Sequence, residues 1–152
     1  MLITQAKPNP LGKDRFGNVA SANQLAGEWL DIRNDTALGI SLSNLELHHI
    51  AYSAGYPNGV WEKVFSIDWT LPAWNILRIH SGGRLPIEQM VLIDQNGADY
   101  HAFTGINYVW NNDRSDTPRL YDRVRQVAVD QVIYNAYPEE GRILIRRGDY
   151  LV

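Results

Sequence analysis

The sequence predicts a single all-β domain, and two observations lead to this fold class. Short runs of strand-forming residues recur from end to end, and Gly, Pro, Asn or Asp bounds each run. No segment keeps the apolar spacing of an amphipathic helix over about 11 residues. Eight or nine short strands at this spacing are typical of a β-sandwich or barrel. The length of 152 residues suits one domain with one core.

The composition excludes several classes of protein. Hydrophobic residues make up 45% of the chain and charged residues 20%, which is unlike a disordered or coiled-coil protein. Because the chain has no cysteine, disulfides, thiolate metal sites and thiol nucleophiles are excluded. The 5 Trp and 8 Tyr suit both half-buried strands and binding interfaces.

The sequence contains no targeting or membrane signal. The first ten residues, MLITQAKPNP, lack the basic start and apolar stretch of a signal peptide. No window approaches the roughly 20 apolar residues that a membrane-spanning helix needs. We therefore expect a cytoplasmic protein without membrane insertion.

Side-chain alternation assigns the faces of the strand predicted at residues 28–33. Leu30 and Ile32 point to the same side, and we expect them in the core. The opposite side, which includes Trp29 and Asp31, is predicted to be a mixed surface.

In three segments, the alternation of side chains along a regular strand does not explain the sequence. Between residues 40 and 47 the apolar positions change phase, so we expect a bulge or break near Asn44. Residues 56–59, Tyr-Pro-Asn-Gly, are predicted to form a turn, because Pro fixes φ and Asn-Gly tolerates a positive φ. Residues 87–93 fit a buried strand, but Pro86 and the polar residues after it equally fit a short helix.

Three groups of segments, in order along the chain, follow a family pattern. The first group is Leu2-Ile3, Asn9-Pro10-Leu11-Gly12 and Glu28-Trp29-Leu30-Asp31-Ile32-Arg33-Asn34. The second group is residues 40–47, Leu71-Pro72 and Leu77-Arg78-Ile79-His80-Ser81-Gly82. The third group is Val109-Trp110-Asn111-Asn112-Asp113, Leu120-Tyr121-Asp122 and Val129-Asp130. Together they resemble the lamin tail domain, the module that ends nuclear intermediate-filament proteins and also occurs in bacterial proteins.

The resemblance covers residues 1–137 and suggests a stand-alone, bacterial-type member. It implies an immunoglobulin-like β-sandwich that attaches to protein, chromatin or a surface, and it implies no catalytic residues. The chain departs from the family at Asn44-Leu45, where Gly-Trp is usual, and in the longer stretch 83–104. Residues 138–152 run past the family pattern, and we expect them to be a C-terminal strand extension of the same domain.

The extension supplies the first group of candidate binding residues. This group consists of Arg142, Arg146, Arg147 and Tyr150. Alternation predicts that Arg142, Leu144 and Arg146 share the strand face opposite Ile143 and Ile145. Such a face either stays in solvent, where its charges prevent edge-to-edge aggregation, or forms a partner-binding edge that uses arginine forks.

Aromatic residues around the predicted turn supply the second group of candidates. Tyr52, Tyr56 and Trp61 flank the Gly- and Pro-containing segment, and aromatic residues in loops often mark a contact surface. For Trp61 the sequence favours a core position.

The histidines and acidic loops favour structural roles. The adjacent His48 and His49 point to opposite faces of a strand, and no further ligands converge with them, so we expect no metal and no cofactor. The loops at 94–99 and 111–116 are predicted to be Asx-rich turns in preference to calcium sites. The Trp110-Asn111-Asn112 segment is predicted to be a corner with a packed Trp and amides that satisfy loop backbone.

The favoured function is a non-catalytic protein–protein interaction or structural module, or one subunit of a larger assembly. We expect it to bind a protein partner or further copies of itself through loops and the C-terminal strand. One alternative is nucleic-acid attachment, which the 11 Arg allow and the net charge of −3 opposes. A less favoured alternative is a metal-dependent hydrolase that uses His48 or His80 with Asp94 or Asp99.

Overall fold

Strands account for most of the regular structure in the computed structural model, which describes residues 1–12 and 14–152. The all-β prediction is confirmed at this level. Of the twelve strands in these residues, three are only two residues long, so nine longer strands remain. In chain order the strands are β1 Leu2–Lys7, β2 Trp29–Arg33, β3 Ile40–Ser41, β4 Leu45–Ser53, β5 Tyr56–Ser66, β6 Thr70–Leu71, β7 Ile76–His80, β8 Tyr100–Phe103, β9 Arg119–Asp122, β10 Val127–Gln131, β11 Leu144–Arg147 and β12 Tyr150–Leu151.

Three short helical segments interrupt the strands. They are α1 Ala22–Ala26, a 3₁₀ turn at Ile87–Gln89 and α2 Leu92–Gln95. Residues 87–93 therefore follow the helical alternative and do not form a strand. Across the described residues, no helix is long and apolar enough to cross a membrane.

Two sheets contain most of the strands. The larger sheet has the order β12-β11-β1-β2-β7-β8, with antiparallel neighbours except for the parallel pair β7 and β8. The smaller sheet has the order β10-β9-β4-β5 and is antiparallel throughout. Strands β3 and β6 form a separate two-stranded ribbon.

Both sheets contribute to one hydrophobic core. Leu30 and Ile32 of β2 are fully buried against Leu47 of β4 and Leu120 of β9 in the same cluster. The predicted core face of this strand is confirmed. Each such side chain contributes roughly 1.5–3 kcal/mol through burial, so this shared core holds the two sheets together.

The chain breaks near Asn44, as predicted. Strand β3 ends at Ser41 and β4 begins at Leu45, with a turn between them. The break removes the phase conflict, because Leu42 and Leu45 can both point into the core; they are 0% and 7% exposed.

The turn predicted at residues 56–59 is in the wrong place. The hairpin between β4 and β5 turns at residues 54–55, and Tyr56 pairs with Ser53 at the start of β5. Pro57 is tolerated in this strand because β5 is at the edge of its sheet. Gly59 has a φ of 88°, and a Cβ at this position would lie 2.3 Å from Ile50 Cγ2. Only glycine therefore fits at this position of β5, where the Ile50 side chain of β4 lies against the backbone.

The outer face of the larger sheet is not the mixed surface that alternation predicted. Trp29 and Asp31 are 0% and 1% exposed. They lie beneath residues 84–99, which contain the 3₁₀ turn and α2 and which we call the cover segment. The sequence pattern of one strand could not show that a distant segment folds over it.

Arg78 of β7 joins the cover segment to the sheet. Its guanidinium carbon lies 3.5 Å from the centroid of the Trp29 ring. Its Nε and Nη2 donate to the two carboxylate oxygens of Asp31 at 2.7 and 2.8 Å. Its Nη1 donates to three carbonyls of the cover segment, those of Ile93, Asp94 and Asn96. Burial raises the pKa of the Asp31 carboxyl, while the ion pair with Arg78 opposes that rise.

The C-terminal residues are integral to the larger sheet. Strand β11 pairs with β1 in a register that sets Leu144 beside Ala6, and both side chains are buried. This register corrects the predicted face of the extension, because Leu144 lies in the core and Ile145 is 53% exposed.

Glu28, immediately before β2, is a fully buried carboxyl. Its Oε1 accepts hydrogen bonds from the Ser81 hydroxyl and from the backbone N–H groups of Val109 and Trp110. Its Oε2 has no hydrogen-bond partner among the described residues. Burial raises the pKa of Glu28 to about 8, despite the three hydrogen bonds.

The raised pKa predicts how stability depends on pH. Folded Glu28 keeps its proton up to about pH 8, whereas the ordinary pKa of a Glu side chain is 4.5. Its contribution is therefore complete below pH 4.5 and is lost as the pH rises towards 8, by at most about 1.4 kcal/mol per pH unit. Glu28→Gln keeps an oxygen acceptor and cannot ionise. We expect it to gain stability relative to the wild type between pH 5 and 8 in urea denaturation.

Glu88→Gln is the matched control, because Glu88 is exposed in the 3₁₀ turn at Ile87–Gln89. Its stability should follow the wild-type pH dependence. Parallel curves for Glu28→Gln and the wild type would show that Glu28 does not titrate as described.

Candidate functional site

The outward face of the smaller sheet carries a cluster of aromatic and arginine side chains. We call it the aromatic–arginine face, and its members are His48, Ile50, Tyr52, Trp61, Arg119 and Tyr121. They lie on β4, β5 and β9, where Ile50 is opposite Trp61 and His48 is opposite Arg119. Because neighbours along a strand alternate, the inward-facing Leu47 and Leu120 direct His48 and Arg119 away from the core.

Arg119 is at the centre of this face. Its guanidinium carbon lies 3.6 Å from the centroid of the Trp61 ring and 4.8 Å from that of Tyr121. Its Nε and Nη2 are 3.2 and 3.1 Å from His48 Nδ1. Desolvation lowers the pKa of Arg119, but a guanidinium stays charged at any ordinary pH. The charge is thus held over aromatic rings in a fixed orientation.

Arg119 also determines the tautomer of His48. A guanidinium can only donate hydrogen bonds, so Nδ1 of His48 must accept. The proton of the neutral ring then lies on Nε2, which donates to Glu46 Oε2 at 2.9 Å. The ring stacks on Tyr121 with centroids 5.0 Å apart. Glu46, His48 and Arg119 therefore form one ordered chain across the sheet.

The hydrogen-bonding capacity of Arg119 is only partly used. Within the described part of the chain, Nη1 makes no hydrogen bond. Trp61, which supports the guanidinium, is 37% exposed. The buried stack of Arg78 on Trp29 has nearly the same separation, 3.5 Å, but it is completed by a carboxylate and three carbonyls. Arg119 presents the same type of donor to solvent.

The hairpin between β4 and β5 extends the aromatic–arginine face. Arg114 lies 4.8 Å from the Tyr52 ring centroid and donates to the Pro57 carbonyl at 3.4 Å. Tyr56 is 57% exposed at the tip of the hairpin. A shallow cavity of about 400 Å³ separates the hairpin from residues 111–114. The structure therefore brings Tyr52 and Trp61 onto one face, with Tyr56 beside it. Trp61 does not occupy the core position that the sequence favoured.

The candidates in the C-terminal extension lie elsewhere, on the larger sheet. Arg146 donates to Asp130 Oδ2 at 2.6 Å and to the Ile3 carbonyl at 3.0 Å, so it links β11 to β10 and β1. Arg142, Arg147 and Tyr150 are exposed.

The far edge of β12 is partly occupied by the chain itself. Leu151 N donates to the carbonyl of Ile133 at 2.8 Å, and Ile133 N donates to that of Asp149 at 2.9 Å. The backbone at the edge of β12 thus hydrogen-bonds within the domain, which leaves few free N–H and C=O groups there for pairing with a partner strand.

Each histidine has a partner inside the domain. His49 Nδ1 lies 3.0 Å from Asp116 Oδ2, and His80 Nε2 lies 2.8 Å from His101 Nδ1. Burial lowers the pKa of His80 to about 3. Residues 1–12 and 14–152 contain no group of three or more His, Asp or Glu side chains arranged to hold a metal ion.

In the two acidic segments, Asp99 and Asp116 accept hydrogen bonds from backbone, whereas Asp94 lies in α2 and bonds to the Lys7 and Trp29 side chains. Asp99 accepts from Ile76 N at 2.8 Å, and Asp116 accepts from Ile50 N at 2.9 Å. Trp110 is 5% exposed, and the Asn111 amide donates to the Ile50 carbonyl at 2.6 Å. The packed Trp is confirmed, but the amides differ from the prediction: Asn111 bonds to strand β4, and Asn112 Oδ1 is buried without a hydrogen-bond partner among the described residues.

No protein-family model matches this chain, and no curated protein matches it significantly. The geometry of the aromatic–arginine face is therefore the basis for assigning a function.

Of the six members of the face, only Tyr52 and Trp61 were predicted binding residues; Arg119 and Tyr121 are the most consequential of those that the sequence analysis missed. Their alternation around Leu120 does indicate two outward side chains on one strand. The pairing of β9 with β4, which sets Arg119 beside His48, is not encoded in any local pattern.

A double-mutant cycle tests whether Arg119 and Trp61 interact. We expect Trp61→Ala and Arg119→Ala to show a coupling energy of about 0.5–1 kcal/mol in urea denaturation, as for other exposed cation–π pairs. A coupling energy of zero would show that the two side chains are adjacent without attraction. The same cycle between Arg119 and the distant Trp74 should give additive effects.

Proposed function

We propose that this protein is a non-catalytic, protein-binding module that holds its partner against the aromatic–arginine face. The partner contributes a carboxylate or a pair of backbone carbonyls to Arg119 and an apolar group to Trp61. The observation that carries the proposal is the exposed stack of Arg119 on Trp61 with unused N–H donors.

The composition of the face supports protein binding. Trp, Tyr and Arg are the residue types most enriched among the positions that dominate binding energy. Here His48, Trp61 and Tyr121 hold the arginine in place before a partner arrives, so little side-chain entropy is lost on association.

The buried Arg78 supports the chemistry of the partner. Arg78 shows which groups complete an arginine stacked on tryptophan in this protein: a carboxylate bound in a fork and backbone carbonyls. Arg119 has the same stacking arrangement without those acceptors. A protein segment with an acidic side chain supplies both kinds of acceptor, the carboxylate and the backbone carbonyls.

The resemblance to the lamin tail domain agrees with this function, because that family acts by attachment. We propose an immunoglobulin-like arrangement for the two sheets on the same grounds. The parallel pair of β7 and β8 and the cover segment are additions to that pattern.

Nucleic-acid attachment is less well supported. The charges on the face are mixed: Glu46 accepts a hydrogen bond from His48 and lies 4.0 Å from Lys63, the residue opposite His48 on β5. A surface of mixed charge on a chain with net charge −3 lacks the concentrated basic patch that phosphate binding needs.

The test is affinity capture followed by measurement with the purified partner. The full-length chain captures proteins from nuclease-treated lysate of its source cells, and the main captured protein is then titrated against single variants. We expect Trp61→Ala and Arg119→Ala each to weaken binding by about 30-fold, the effect of losing about 2 kcal/mol.

Trp74→Ala is the matched control, since Trp74 is 55% exposed and lies in the turn before β7. It should bind like the wild type. Binding that all three variants retain would rule out the aromatic–arginine face, and capture that nuclease abolishes would favour nucleic-acid attachment.

A further inference from the structure

A cleft of about 410 Å³ opens between α1, the end of β1 and the cover segment. Its walls are largely apolar and include Pro10, Leu11, Met90, Val91 and Ile93. Lys7 and Asp94 also line it, and they are only 3% and 1% exposed. The cleft therefore combines apolar walls with a buried ion pair.

The ion pair at the cleft is incompletely hydrogen-bonded. Lys7 Nζ and Trp29 Nε1 both donate to Asp94 Oδ1. Asp94 Oδ2 is buried and has no hydrogen-bond partner among the described residues. The Lys7 ammonium has three N–H donors and makes one hydrogen bond. A free acceptor and free donors thus lie side by side.

This arrangement selects for a neutral group. The pair carries no net charge, so a ligand carboxylate would face Asp94 and a ligand ammonium would face Lys7, and both would be desolvated. A hydroxyl donates to Asp94 Oδ2 and accepts from Lys7 with a single oxygen. The apolar walls suit a hydrocarbon body behind that oxygen, and the volume is in the usual range for small-molecule sites.

We propose that this cleft binds a small, apolar alcohol, with its hydroxyl on Lys7 and Asp94. The site lies on the larger sheet and is independent of the protein-binding function proposed for the aromatic–arginine face.

The experiment uses four probes that share a phenyl ring and differ in the attached group: benzyl alcohol, toluene, benzylamine and benzoate. Each is titrated into the ¹⁵N-labelled full chain while the indole N–H signal of Trp29 is followed by NMR. Because that N–H donates to Asp94 Oδ1, it reports directly on the ion pair. We expect a saturable shift with benzyl alcohol and an affinity at least ten times that of toluene, benzylamine or benzoate, as a hydrogen bond to charged groups provides.

Two surface variants locate the binding. Asn23 is exposed in α1 and lines the cleft, so Asn23→Trp should close the cleft and abolish the benzyl alcohol shift. Without ligand, the Trp29 indole N–H of this variant should keep the chemical shift of the folded protein. Asn58→Trp, on the exposed edge strand β5, should bind like the wild type. Three results would overturn the proposal: no saturable shift with benzyl alcohol, equal affinity for toluene, or binding that survives Asn23→Trp.

Discussion

The buried stack of Arg78 on Trp29 is the interaction on which the outer layer of the larger sheet depends. Arg78 is 1% exposed, and its donors are shared between Asp31 in the adjacent strand and three carbonyls of the cover segment. Removing one partner of a buried ion pair typically costs about 3–5 kcal/mol. The cover segment has only four residues of α-helix of its own, too few to be stable alone. Its position, and with it the cleft at Lys7 and Asp94, follows from this arginine.

The two sheets use the same type of contact in opposite ways. On the larger sheet an arginine stacked on tryptophan is completed by the chain itself, whereas on the smaller sheet Arg119 on Trp61 remains open to solvent. The difference is topological: the long segment between β7 and β8 folds back over Trp29, which is 0% exposed, whereas Trp61 remains 37% exposed. We propose that another protein supplies the hydrogen-bond acceptors that Arg119 lacks.

Local patterns predicted those features that local chemistry controls. Alternation identified Leu30 and Ile32 as core, the phase change located the break at Asn44, and Trp110 is packed as its segment predicted. Features that depend on distant pairing were missed. The register of β11 against β1 buries Leu144 in place of Ile145. The pairing of β4 with β5 shifts register between Ala51 and Ser53 and places the hairpin turn at residues 54–55. For the candidate site, Tyr52 and Trp61 were identified by residue type, but Arg119 became visible only once β9 was paired with β4.

Hydrogen exchange of the cover segment tests the role of Arg78 most directly. The amides of residues 94–96 donate to the carbonyls of Val91 and Leu92, and Arg78 binds the same turn. Arg78→Lys keeps the charge but loses the planar fork, and Arg119→Lys makes the same change in the exposed stack. We predict that Arg78→Lys speeds exchange at residues 94–96 at least tenfold, while Arg119→Lys leaves it unchanged and β4 and β9 stay protected in both variants. Equal protection of residues 94–96 in the wild type and in Arg78→Lys would contradict this account.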